Sequence, residues 1–285
     1  MNIHIAIAAE KLGHFGGLTI TNSFLTTLIV VTIILTYAYF TSKNLKLTNP
    51  NANQKFIEWV VSAMYSLTNQ ILGKKIGYKY FSIVFSFFIF IVLSNWFGLL
   101  PFVPAVSYTP QPKAEVIEKI IENDTHETVI EDTHEQEVSE HSETMHLFRA
   151  PTSDLNTTFA LAIVSVILIQ YAAISSLGIK KYTNKFFNFK IHKKGVMGVF
   201  EAGIGSLVGI LELLSEFTKI LSFAFRLFGN IFAGEVLILV ISALTFSLGT
   251  LPFLGLEVFV GLIQGFVFTM LTLVFISVSI TDHSH

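Results

Sequence analysis

Arg226 is a permanent cation inside an apolar run, Phe223-Ala224-Phe225-Arg226-Leu227-Phe228. Guanidinium stays protonated at any biological pH, and one at the centre of a membrane helix costs about 2.5 to 3.5 kcal/mol on translocon scales. Such a residue faces protein or water. At 100° per residue Ser222, Gly229, Asn230 and Ala233 share its face, with Gly234 at the edge, so the charge stands over a small and polar stripe. Close helix packing alone explains the small residues, and snorkelling or a structural pair with Glu216 explains a lone arginine. The two together suit a surface past which another helix slides at close range.

Glu235 lies nine residues further on, half a turn round the helix and about 13 Å along it. On the next apolar run Glu257, Gly261, Gln264 and Gly265 line one stripe. An antiparallel hairpin that opposes Glu235 to Glu257 brings Gln264 near the level of Arg226. Carboxyl groups inside a membrane serve as proton relays, whereas the guanidinium keeps its proton. The pattern therefore predicts a proton path that two glutamates open and Arg226 closes. Glu212, Glu216 and Lys219, with Ser277, Ser279 and Thr281, offer a second path on the other side. The plainer reading, an interfacial face of a tilted helix, is slightly favoured for them.

The elements that must hold these groups are membrane helices. Of the 285 residues 52% are hydrophobic and 13% charged, with 28 Phe and a mean hydropathy of +0.64, more apolar surface than one soluble domain can bury. Absence of Cys excludes disulfides, thiolate nucleophiles and Cys-ligated metal. There is no GxxxxGK[ST] phosphate loop and no recognisable nucleophile–base constellation. The reading is an all-α polytopic membrane protein with about five crossings, an interfacial helix and a long, strongly tilted C-terminal helical hairpin. Residues 1–17 form an outer N-terminus without signal-peptide features, and 18–42 a first crossing. Residues 43–79 form an inner loop whose segment 54–72 has the apolar spacing of a helix lying at the interface. A second crossing, 80–101, ends at Pro101 and leads into an outer loop, 102–153, with an acidic insertion. A third crossing, 154–179, is followed by an inner basic loop, 180–198. Residues 199–285 form the hairpin, because 41 apolar residues from 206 to 246 would make a helix of about 60 Å, twice the hydrocarbon thickness. Turn residues at 247–252 divide it.

Charge sets the orientation. Eleven of the 20 acidic residues lie between Lys113 and His146, while 12 of the 18 basic residues sit in the two other loops. By the positive-inside bias the lysine loops are cytoplasmic, the N-terminus and the acidic loop are outside, and the C-terminus is cytoplasmic. The charges mark sides rather than a nucleic-acid patch. His126, His134, His141 and His146 in the acidic loop make a weak metal site, so no metal and no cofactor is expected.

Ser222-Phe-Ala-Phe-Arg226-Leu-Phe-Gly-Asn230-Ile-Phe-Ala-Gly-Glu235 resembles the signature of subunit a of F-type ATP synthases. So do Pro151-Thr-Ser-Asp154-Leu-Asn156 and Gln264 with its Phe-rich run to Ile280. The resemblance implies a non-catalytic stator subunit in a bacterial plasma membrane, holding two aqueous proton half-channels against a rotating ring of c subunits. Its other partners would be b-type peripheral stalk subunits, the remainder of the synthase and the bilayer, with ATP formed elsewhere in the complex. Arg226 matches the family's indispensable arginine. Asn230, Glu235, Glu257 and Gln264 match half-channel positions, with Ser222 one turn from the arginine, and Asp154 and Asn156 are candidates for the outer inlet. Some bacterial members carry a Glu and a His where this chain has Glu235 and Glu257, and no His lies between His192 and His283. An imidazole relay in the membrane is therefore excluded. The competing class is a self-contained ion-coupled secondary transporter, weakened by the lack of a second Arg-centred segment in a matching half.

Overall fold

A computed structural model of the chain describes residues 11–15, 18–46, 50–100, 103, 107–108, 145–179, 182–183 and 196–281. Residues 1–10, the acidic tract from 113 to 144, most of the basic loop from 184 to 195, and the terminal 282–285 lie outside the described residues. The architecture is all-α and polytopic, with five helical segments among the described residues long and apolar enough to cross a membrane. Two short hairpins accompany them.

Strands β1 (Lys11–Phe15) and β2 (Leu18–Thr21) pair antiparallel, Lys11 opposite Thr21 and Phe15 opposite Leu18. Helix α1 (Asn22–Lys43) therefore starts four residues later than apolarity suggests. The reason is local: Thr19, Ile20 and Thr21 are β-branched and suit a pleated surface, and the Thr21 hydroxyl accepts from the Phe24 amide at 3.2 Å, capping the helix. Only the first half of α1 packs on the protein, through buried Asn22, Ser23, Thr26 and Val30. Beyond that Leu35, Tyr39 and Phe40 are exposed, a surface suited to lipid.

Helix α2 (Ala52–Leu72) is amphipathic and buries Met64, Thr68 and Leu72, one turn apart, while Phe56 and Trp59 stay exposed. Gly73, at φ +75°, breaks it from α3 (Lys74–Gly98) in a conformation that side-chain-bearing residues rarely adopt. The helix thus takes in Lys74, Lys75 and Lys79, ahead of the expected start at 80. Lys79 reaches the Ser175 hydroxyl at 2.9 Å and lies over the rings of Tyr80 and Tyr171, so its stem stays apolar and its charge finds polar company. Strands β3 (Ser107–Tyr108) and β4 (Met145–His146) pair across the acidic tract. A 3₁₀ turn, Pro151–Ser153, then enters α4 (Leu155–Leu177), whose N-cap is Asp154.

Helical bonding continues through α5 (Val196–Ile280). Yet the Asn230 side-chain amide donates to Gln264 at 2.6 Å, and 34 residues of straight helix would separate them by about 50 Å. The element doubles back, giving two membrane-length limbs, Leu207–Thr245 and Gly249–Ile280. Pro252 sits in the first turn of the second limb, where a missing N–H costs least. The core joins α3, α4 and both limbs: Val84 and Ile91, Ala162 and Ile169, Leu227, and Phe268, Leu273 and Ile276 interlock fully buried. In a bilayer such contact, more than the hydrophobic effect, holds helices together.

Candidate functional site

On the first limb Ser222, Arg226, Asn230 and Ala233 are all exposed, on the face that their spacing defines. The adjoining side, with Phe223, Ala224, Leu227 and Ile231, is buried. Core packing therefore turns Arg226 outward, and among the described residues it has no hydrogen bond or ion-pair partner. Glu216, the structural partner that spacing allows, is engaged elsewhere. Its Oε1 accepts from Lys219 at 2.7 Å, and its Oε2 accepts from the Gln170 amide.

Toward the hairpin turn the polar groups converge. Glu257, on the second limb, is buried, and its carboxyl fills the space where a Cβ on Gly234 would stand. Only glycine at 234 admits a carboxyl so close to the backbone. Glu235 projects beside it, 3.7 Å from Arg149 Nε, with Ser153 and Glu257 as its other charged or polar neighbours. Gln264, also buried, meets Asn230. Gln264 thus meets the residue one helical turn, about 6 Å, on the turn side of Arg226. A polar line runs from Glu235 and Glu257 through Gln264 and Asn230 to Arg226. Within it Glu257 Oε1 and Gln264 Nε2 have no protein partner among the described residues.

At the other end, Ser222 borders an open groove of about 400 Å³ lined also by Leu211, Leu214, Ser215, Thr218, Lys219 and Phe275. Beside it the Tyr182 hydroxyl donates to Gln170 at 2.6 Å, extending the Gln170–Glu216–Lys219 network. Burial, then the nearby carboxylates of Glu216 and Glu212, push the Tyr182 phenol above its ordinary range. Ser277, Ser279 and Thr281 all donate to backbone carbonyls, of Ile71, Ile276 and Ser277. Those hydroxyls are occupied by helix and packing bonds rather than aimed into the groove.

The sequence matches the family model described as "ATP synthase A chain" over residues 24–277. The chain belongs to the ATP synthase A chain family. Among curated relatives named ATP synthase subunit a, that of Desulforamulus reducens is 28% identical over 97% of this chain and 86% of its own length. That of Priestia megaterium is 29% identical over 94% and 96%, and that of Bacillus pumilus 27% identical over 96% and 98%. The chain is accordingly a multi-pass membrane subunit of a bacterial-type ATP synthase.

Within this A chain, Asp154 serves as N-cap: it is buried, its carboxylate accepts from the Asn156 amide at 3.2 Å, and Asn156 itself is exposed. Sequence reasoning missed Arg149 and Ser153, which border Glu235, and Asn95, which accepts from the Thr152 hydroxyl and donates to the Gly261 carbonyl at 3.1 Å. Arg149 did carry a signal. It is the one basic residue between the acidic tract and Pro151.

Proposed function

We propose that this subunit is the non-catalytic stator that passes protons between two half-channels by way of a rotating ring of c subunits. Glu235, Glu257, Gln264 and Asn230 form the half-channel on the hairpin-turn side, and the groove beside Ser222 and Lys219 forms the other. The positive-inside bias puts the turn outside and the C-terminus in the cytoplasm. The unpartnered Glu257 Oε1 and Gln264 Nε2 are the acceptor and donor that a file of water requires along such a path.

The observation that carries the reading is the exposed guanidinium of Arg226, without a partner among the described residues, on a face of small residues. A permanent charge at that depth needs a counter-charge from outside the chain, and a carboxyl on a passing ring helix supplies one. At about 4 Å and an effective dielectric near 20, guanidinium and carboxylate attract by about 4 kcal/mol. Arg226 would thus favour the deprotonated ring carboxyl as it passes and, unable to release its own proton, keep the half-channels from joining. Each charge that crosses then delivers about 2.3 kcal/mol per 100 mV to rotation. The peripheral stalk holds the subunit still.

The test is proton pumping driven by ATP in inverted vesicles carrying Arg226→Ala, with assembly checked by pull-down. Coupled pumping should vanish while the complex assembles. Unchanged pumping would make Arg226 structural and sink the proposal.

A further inference from the structure

We propose that Arg149 is a positioning residue for the carboxyl pair: it fixes Glu235 and supplies the permanent positive charge that, with one proton held by Glu235 and Glu257 together, makes the trio neutral. The inference rests on the proton-path reading above and assigns part of it to a loop outside the hairpin.

The loop is built to hold that side chain still. Ala150, Thr152 and Ser153 are buried, and Thr152 is tied to Asn95 on α3. The Arg149 amide donates to Thr26 on α1 at 3.3 Å. Its Nε donates to the Ser153 hydroxyl at 3.0 Å, which itself donates to the Ala150 carbonyl at 2.9 Å. The guanidinium lies 5.9 Å from the centre of the Phe232 ring, on the same limb as Glu235. Such a cation–π contact holds a charge in a desolvated place. An arginine fixed from α1, from its own loop and from the first limb has little freedom left to lose on meeting Glu235. That is the condition under which an ion pair gives geometry as well as charge.

The charge balance follows from the groups that face Glu235: Arg149 and Ser153 from the loop, and Glu257 from the second limb. Two carboxylates and one guanidinium carry one net negative charge. One added proton brings the trio to zero, the state a low-dielectric site tolerates best. A second proton would again leave it charged. The trio therefore takes up and passes on one proton at a time, with Arg149 setting that count and Glu257, whose Oε1 has no partner, as the member open to the path.

The test uses the whole synthase in vesicles, with the rate of ATP synthesis driven by an imposed gradient followed against external pH. Arg149→Gln should lower the rate at least tenfold at neutral external pH and displace the midpoint of the profile by more than half a unit. Arg149→Lys keeps the charge and should stay within threefold with the midpoint in place. An Arg149→Gln variant that keeps its rate, or loses it by one factor at every pH with the midpoint unmoved, overturns the proposal, as does Arg149→Lys behaving like Arg149→Gln. If Arg149→Gln does not assemble, Phe232→Leu decides: it removes the ring that holds the guanidinium and leaves the groups that face Glu235 in place, and a displaced midpoint supports the proposal while an unmoved one overturns it. Arg226→Ala in the same vesicles separates the layers. Pumping that survives Arg226→Ala sinks the stator reading itself, whereas pumping lost there with a neutral Arg149→Gln sinks this inference alone.

Discussion

Gly234→Ala should damage proton conduction while leaving the fold nearly untouched. The added methyl would overlap all three atoms of the Glu257 carboxyl group, and carbon contacts settle at about 3.5 to 4 Å. The carboxyl must therefore withdraw by more than about 1 Å. Because the obstructing atoms are the far end of a flexible side chain, the helices need not move. A side chain pushed off its rotamer costs about 0.5 to 1.5 kcal/mol, and Ala in place of Gly in a helix returns about 1 kcal/mol. Net stability should change by less than about 1 kcal/mol, and the complex should assemble. Conduction is less forgiving, since proton transfer needs heavy atoms about 2.6 to 3.2 Å apart or one water between them. Pumping should fall at least tenfold. Glu257→Asp, one methylene shorter, withdraws the carboxyl from the new methyl, so the double variant should recover more than Glu257→Asp alone would suggest. The assay pairs vesicle pumping with the thermal midpoint of the purified complex. Full pumping by Gly234→Ala with an unchanged midpoint would refute the reasoning, because it would show that the position of the Glu257 carboxyl does not matter.

Asn230→Leu leaves Gln264 buried with neither its amide nitrogen nor its carbonyl oxygen bonded to protein. The expected outcome is a loss of about 1 to 3 kcal/mol in thermal stability and a severalfold drop in pumping, with Asn230→Gln intermediate in both. Lys219→Leu leaves the part-buried Glu216 carboxylate with the Gln170 amide alone and should destabilise by about 1 to 3 kcal/mol, whereas Lys219→Leu with Glu216→Leu should recover most of that in the same melting experiment. Asp154→Ala removes the cap of α4 and should cost about 1 kcal/mol. Asp154→Asn keeps a capping oxygen, so both stability and external-pH dependence should match the parent. A pumping defect in Asp154→Asn at unchanged stability would instead mark a charged inlet.

Helices were legible wherever one physical signal sufficed. Charge-free runs of membrane length marked the crossings, and a limb too long to stand upright marked the hairpin, because hydrocarbon thickness and helical rise leave little choice. The face of Arg226 was legible for the same reason: Ser222, Asn230 and Ala233 follow from the helical period. Boundaries failed where a local preference competed with apolarity, as at β2, where β-branched residues and a Thr21 cap delay α1. Contacts failed where a loop had to return. No periodicity announces that Arg149, placed among irregular residues before Pro151, meets Glu235, or that Gln170 on α4 reaches Glu216.

One asymmetry ties these points together. At each end of the first limb the charged groups are satisfied within the chain, Lys219 by Glu216 and Glu235 by Arg149. Arg226 lies between them and has no such partner among the described residues, though Glu216 stands on the same limb about 15 Å away. The nearer Lys219 takes that carboxylate, and the buried row of Phe223, Leu227 and Ile231 leaves the arginine outside the core. A chain selected only to be stable would have paired or replaced a cation that costs several kcal/mol in hydrocarbon. Keeping it bare is consistent with a surface whose counter-charge arrives from a moving partner and leaves again.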